Sequence, residues 1–311
     1  VKNLSDSPHT PVLRNELIEG FGRLQKGIFI DCTIGYGGHS KGLLDANSDI
    51  KLIGIDRDEE AIKFNLERLK REFRDRVELV KGTFSEILPK ILRESREPIV
   101  GILADFGVSS LQLDKKERGF AFDSNSLDMR MDRESNLTAK DVINLYPQNR
   151  LEDIFRKYGE LREAKVLARE IVKERAYREI ESAKEFSQII RRVVRSGKKH
   201  PSTLPFQAVR VEVNDELREI ESLLNVIEEF KPKGTVVALI TFHSLEDRVV
   251  KSRFRRWSKD CICESGMMRC LCGGDNSLGK EINRKPIVAS REEIEKNRRS
   301  RSAKLRLFKF K

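Results

Sequence analysis

Several stretches of the chain carry side chains whose types and spacing could do chemistry. FIDCTIGYGGHSKG, residues 29–42, ends an apolar run in Asp31 and then sets Gly35, Gly37 and Gly38 ahead of His39. Asp56 closes the apolar run of GIDRD, and Phe84 follows VELVKGT. Asp105 ends IVGILAD, with Ser109, Ser110 and Gln112 close behind, and His243 ends TVVALITFH. Cys261, Cys263, Cys270 and Cys272 form a tight group, far from the single Cys32.

A strand that ends in a glycine turn and opens a helix suits an anion or a nucleotide. A phosphate-binding P-loop needs a Lys-Ser/Thr pair after its second glycine, and here Gly38 is followed by His39 and Ser40. A dinucleotide fingerprint needs G-x-G-x-x-G, which residues 35–40 do not match, so a nicotinamide dehydrogenase is excluded. Asp56 nevertheless stands about where a ribose hydroxyl partner belongs. A nucleoside without a pyrophosphate points to S-adenosylmethionine, and Asp31 suits a zwitterionic methionine tail better than a diphosphate.

Each residue also has a structural reading. His39 reads as a capping histidine, Asp56 as a helix cap (a job that fits Asp58 better) and Phe84 as a core aromatic. Asp105 reads as a strand-end cap, Gln112 as a surface residue and His243 as a buried structural histidine. The cysteines read as a four-thiolate zinc site, as disulfides or as free thiols, and their C-x-C pairs are less typical of zinc than C-x-x-C.

The elements that must position these groups follow from periodicity. GIFIDCTIG, KLIGIDRD, VELVKGTF, IVGILADFG and TVVALITFH read as strands, the first four alternating with helical runs. That rhythm argues a parallel sheet covered on both faces. KPIVAS and AKLRLFKF read as two further strands. Between IVGILADFG and TVVALITFH, LQLDKKERGFAFDSNSLDMRMDRESN shows no clear period, and helices follow, with capping boxes at Thr138/Asp141 and Ser182/Glu185. Residues 112–216 therefore read as an inserted helical domain, and 1–111 with 217–311 as one discontinuous α/β domain. SLEDRVVKSRFRRW reads as a helix started by Ser244, with Asp247 three residues on.

The 311 residues carry 61 Lys+Arg against 50 Asp+Glu, a net charge of +11 that fits a polyanionic partner such as nucleic acid. No apolar run is long enough to span a bilayer, and the first residues lack a signal-peptide pattern, so a soluble, cytoplasmic protein with no membrane partner is expected. Five cysteines in a chain this long are not a disulfide scaffold.

HTPVL (9–13), DCTIGYGGHS (31–40), GIDRD (54–58), GTFS (82–85), LADFGVSSLQLD (103–114), RGFAF with LDMRMD (127–132), KHPSTLPFQAVRVEVNDEL (199–217), FHSLEDRVVK (242–251) and RSAKLR (301–306) occur in this order. With them the chain resembles the bacterial small-subunit (16S) ribosomal RNA cytosine-N4-methyltransferases of the MraW type, over nearly its whole length. It departs in having Ala104 and Phe106 around Asp105, and Cys32 where glycine is common. The resemblance implies a Rossmann-like class I S-adenosylmethionine-dependent sheet with an all-helical insertion for substrate recognition. It implies methylation of the exocyclic N4 amine of a cytidine in the decoding region of 16S rRNA, within the small subunit. Cofactor residues would be Gly37, Gly38, His39, Asp56, Phe84, Asp105 and Gln112.

The other candidates follow from the chemistry. Cytosine's amine has its lone pair delocalised into the ring, so a group that accepts one of its hydrogens frees the nitrogen. Asp105 is the first candidate, with Ser109, Ser110 and His243 as further catalytic candidates. No cysteine nucleophile is needed, and the base must be splayed out of its stack to reach the cofactor. RRVVRSGKKH offers Arg191, Arg192, Lys199 and His200 for RNA, although charge runs are often only solvated faces. Arg298, Arg299 and Arg301 add to the basic surface. Two other functions remain open: an amine methyltransferase acting on DNA or protein, and an RNA-binding assembly factor that retains cofactor binding without turnover. Oligomeric state is not legible.

Overall fold

The computed structural model describes residues 11–22, 24–195, 200–263 and 270–311. Its described strands form one sheet. They are β1 (Gly27–Asp31), β2 (Ile50–Asp56), β3 (Val77–Lys81), β4 (Ile99–Asp105), β5 (Val236–Thr241), β6 (Gly279–Glu281), β7 (Ile287–Val288) and β8 (Lys304–Phe310). The order is β3-β2-β1-β4-β5-β8-β6, with β7 paired to β8. β1 to β5 are mutually parallel, and β8 runs antiparallel to β5. β6 is missed by sequence reasoning, because Gly-Lys-Glu has no apolar alternation and pairs only through β8.

The chain forms two compact units, Val1–Gly107 with Arg218–Lys311, and Val108–Leu217. In the first, every residue of β1 and of β5 is buried, as strands covered on both faces must be. Gly101 in β4 leaves room for Phe29, since a side chain there would meet the Phe29 ring at 2.6 Å. Phe29 in turn packs edge-on against Phe21, from a helix, Arg14–Phe21, that has no counterpart in the sequence reading. Trp257 is buried against Phe254, Phe308 and Phe310 and anchors the helix Ser244–Trp257 to β8.

The winding sets where a ligand belongs. From β1 the chain goes outward through β2 and β3, then returns to place β4 on the other side of β1. The carboxyl ends of β1 and β4 therefore flank a topological switch point, the place where open α/β sheets bind ligands. Asp31 and Asp105 are the last residues of these two strands.

The second unit contains no strand among its described residues. Its helices include Ala139–Leu145, Gln148–Lys157, Ala164–Arg175, Ala183–Val193 and Thr203–Asn214. Thr138 and Asp141 form a complete capping box, and Ser182 caps the fourth of these helices through the Glu185 N–H. The aperiodic segment before them is not a polar loop. Phe120, Leu127, Met129 and Met131 are buried in the same core as Phe155, Phe186 and Phe206. Arg118, itself buried, donates to the carbonyls of Arg130 and Met131, and Asn214 both donates to Met129 O and accepts from Met131 N. Side-chain hydrogen bonds do there what a regular period does elsewhere.

Candidate active site

Asp31 is buried at the end of β1, where Oδ2 accepts from Ser40 Oγ at 2.6 Å and Oδ1 from Thr33 N at 3.1 Å. Burial pushes its pKa up, and the Ser40 hydrogen bond pulls it part of the way back. One strand over, the Asp105 N–H donates to Thr33 Oγ1 at 2.6 Å, which fixes the end of β4 against the turn after β1. His39 lies in the first turn of the helix Gly38–Ala46 and is almost fully buried. Its Nε2 stands 3.6 Å from Asp105 Oδ2, too far for a hydrogen bond.

Both ring nitrogens of His39 and Asp105 Oδ1 are buried without a hydrogen-bond partner. An unpaired buried polar group costs about 1–3 kcal/mol, so three such atoms at one strand end mark a place where a polar ligand belongs. A carboxylate acceptor beside an imidazole donor matches the ammonium and carboxylate of an amino-acid moiety. The residues present thus fit the methionine end of S-adenosylmethionine.

Asp56, at the end of β2, accepts from Gly35 N at 2.8 Å and Asp58 N at 2.9 Å. Burial pushes its pKa up to about 6, against the lowering effect of these two amides. Each carboxylate oxygen retains a second lone pair for ribose hydroxyls. Asp58 caps the helix Glu59–Asn65, the role its position suggests. Phe84 is buried and stands edge-on to Phe106, with ring centroids 6.3 Å apart. The pair supplies an apolar wall next to Asp105.

The glycines also make room for protein atoms. Gly37 caps the helix Gly38–Ala46 at φ 68°, and a Cβ on it would sit 2.2 Å from Asn65 Oδ1. A Cβ on Gly38 would meet Pro11 at 2.5 Å. Their bare faces admit protein atoms. Asn65, fully buried, donates to Gly35 O at 2.7 Å, and Arg68 donates to Tyr36 O at 2.7 Å. Asn65 and Arg68 hold the turn's shape, and sequence reasoning missed both. A Glu/Lys/Arg-rich amphipathic helix gives no sign of which polar residues turn inward.

His243 also differs from expectation. It, and not Ser244, caps the helix Ser244–Trp257, and its partner is Glu246, not Asp247. Glu246 N approaches Nδ1 at 3.4 Å, and Glu246 Oε2 accepts from the N–H groups of Phe242 and His243. Asp247 instead accepts from the buried Arg306 at 2.7 Å and from Lys304 at 3.0 Å, which pull its pKa down against the effect of burial.

In the second unit, Ser109 and Gln112 form a reciprocal capping box for the helix Ser110–Asp114. Ser109 Oγ accepts from Gln112 N, and Gln112 Oε1 from Ser109 N. Arg191 Nη2 lies 2.9 Å from His200 Nε2, and the His200 ring stacks on Phe122 at 4.7 Å. Burial, then the Arg191 charge, lowers the His200 pKa. Arg192 is not available as a free cation, because it pairs with Glu174 at 2.7 Å and faces Glu170 at 3.8 Å. His9 and Lys199 lie outside the described residues.

The sequence profile of a family described as the MraW methylase family matches residues 6–311. The chain is 56% identical over 307 residues to a ribosomal RNA small subunit methyltransferase H of Sulfurovum sp. (strain NBC37-1), covering 98% of this chain and 99% of that one. It is 54% identical over 306 residues to the protein of the same name from Sulfurimonas denitrificans, covering 98% of each. Against that of Campylobacter jejuni (strain RM1221) it is 49% identical over 304 residues, covering 97% of each.

Proposed function

Since the chain belongs to the MraW methylase family, we propose that its switch-point cluster binds S-adenosylmethionine and methylates the N4 amine of a cytidine in the decoding region of 16S rRNA. The observation that carries this reading is the convergence of His39 and Asp105, with partnerless polar atoms, on the strand ends that also present Asp31 and Asp56.

When bound, the cofactor supplies a methyl group activated by its positive sulfonium. Asp56 accepts hydrogen bonds from the ribose hydroxyls. His39, with Asp105, faces the methionine tail, while Asp31 fixes Ser40 and the turn. Phe84 and Phe106 give adenine an apolar surface. With Oδ1 turned to the methionine tail, Asp105 Oδ2 accepts a hydrogen of the cytosine amine, which localises the nitrogen lone pair and gives the excess proton a destination after transfer.

Ser109 and Gln112 set the start of the helix Ser110–Asp114, and Ser110, in its first turn, stays a candidate substrate contact. His243 acts through its cap on the helix Ser244–Trp257. The helical insertion is the RNA-recognition element, with Arg191, His200 and the stacked Phe122 as its contact group. A base splayed from its stack gains from an aromatic platform beside a guanidinium.

The test is mass spectrometry of 16S rRNA after incubating undermethylated small subunits with the protein and S-adenosylmethionine. One N4-methylcytidine per subunit is expected. Cofactor binding without any methylated nucleoside would favour an assembly factor, and methylation of DNA or protein amines alone would move the substrate.

A further inference from the structure

Between the helix Ser244–Trp257 and β6, the chain places Cys261, Cys263, Cys270 and Cys272 together, none of them in a disulfide. All four sulfurs lie within 4.8 Å of one another. Cys261 Sγ is 3.7 Å from Cys270 Sγ and 3.8 Å from Cys272 Sγ, and Cys270 Sγ is 3.4 Å from Cys272 Sγ. A bonded pair would stand at about 2.0 Å. Four sulfurs placed tetrahedrally at about 2.3 Å from one zinc ion stand about 3.8 Å from each other. The sulfur spacing is that of a mononuclear metal site.

Among the described residues of the segment, nothing else explains the gathering. Cysteines collect in cores because they are apolar, yet Cys261 and Cys270 are exposed. So are Ile262 and Leu271, the residues between the cysteines of each pair, at 64% and 76%. Among the described residues, no hydrophobic core draws the two arms together.

The backbone is arranged for thiolates. Ile262 N–H donates to Cys272 Sγ at 3.4 Å, and Leu271 N–H to Cys263 Sγ at 3.2 Å. Each arm thus solvates a sulfur of the other, as outer hydrogen bonds do around metal ligands. The Asn276 side-chain amide ties the base of the arms, donating to the carbonyls of Asp260, Cys272 and Gly274.

We propose that Cys261, Cys263, Cys270 and Cys272 bind one zinc ion as four thiolates, in a closed structural site that takes no part in methyl transfer. The inference is independent of the enzyme's substrate.

The test is elemental analysis of the full-length protein purified under reducing conditions. One zinc per chain is expected, released in full when a mercurial has titrated the four thiols. Exchange with Co²⁺ should give a thiolate-to-cobalt charge-transfer band and the visible bands of tetrahedral geometry. A Cys261→Ser, Cys272→Ser double variant should lose at least nine-tenths of the zinc, and Cys32→Ser should keep it. Wild-type protein with less than a tenth of an equivalent of zinc that also refuses Co²⁺ overturns the proposal, without recourse to any variant. So do two disulfides in the intact mass, iron in place of zinc, or full zinc retention in the double variant.

Discussion

Asp56 Oδ2 accepts the amide hydrogen of Gly35 at 2.8 Å, so the carboxylate that closes β2 also shapes the turn that leaves β1. One side chain therefore closes a strand and holds the neighbouring turn in shape. Replacing Asp56 with Ala should weaken S-adenosylmethionine binding roughly ten- to a hundredfold, as the loss of a charge-assisted hydrogen bond worth ~1.5–3 kcal/mol implies. Calorimetry on the folded variant decides it, and wild-type affinity would remove the ribose role.

The same group predicts a pH dependence. With its pKa raised to about 6, Asp56 is protonated in the free protein at pH 5 and ionised at pH 7. Cofactor affinity should fall as pH drops through about 6, and the fall should be absent in Asp56→Asn. Stability has the opposite sign. Between the ordinary 3.8 and about 6 the native state holds a proton that the unfolded state has released, so the free protein loses stability as pH rises through that window. Affinity titrations and thermal melts at matched pH separate the two effects.

Asp105→Asn keeps the shape and hydrogen-bonding size of the side chain but removes the proton acceptor. Single-turnover methylation at saturating cofactor should slow by roughly 10²–10⁴-fold, the usual worth of a positioned general base. Binding to the small subunit should be unchanged by filter assay. Turnover near wild type would remove the base role from Asp105.

Gly37→Ala combines a positive φ with a methyl group 2.2 Å from Asn65 Oδ1. It should destabilise the protein by at least ~1–3 kcal/mol, the usual cost of a strained backbone position alone. Gly38→Ala has no positive φ and asks only that Pro11 shift, so its loss should be smaller. Urea midpoints rank the two, and the reverse order would show that the Asn65 contact is soft.

Arg191→Ala should reduce the slope of log affinity for the small subunit against log salt by about 0.7–0.9, one phosphate's worth. Arg192→Ala should leave that slope unchanged, since Glu174 and Glu170 already balance its charge. Equal effects would mean that the glutamates release Arg192 when RNA arrives.

What the sequence discloses here is local. β1 to β5 and β8 stand where apolar runs and helix caps put them, and Asp31, Asp56 and Asp105 are strand-end residues in the sequence reading and in the structure alike. What it hides is each partner contributed from elsewhere. Gly37 gives no sign that Asn65 packs against its bare face. Arg192 looks like a free cation until a neighbouring helix presents Glu174. Ser244 and Asp247 look like a cap because serine and aspartate favour such sites, but the Arg306 guanidinium claims Asp247 and leaves capping to His243 and Glu246. The 118–131 segment shows no period because its order comes from Arg118 and Asn214.

β4 and β5 are neighbours in the sheet, yet the hydrogen bond from Thr235 Oγ1 to Ile99 O joins residues 136 positions apart. During synthesis at about 5–20 residues per second, on the order of ten seconds separate the emergence of the two strands. Through that interval the apolar outer side of β4 is an open edge, the kind of surface on which chains pair wrongly. The intervening residues bring their own core, so they can collapse before β5 appears and shorten the effective loop that must close. Closure itself is cheap, since doubling a loop costs only about 0.6 kcal/mol. The penalty of interrupting this sheet is therefore paid in time, while the nascent chain depends on β5 arriving before another β4 does.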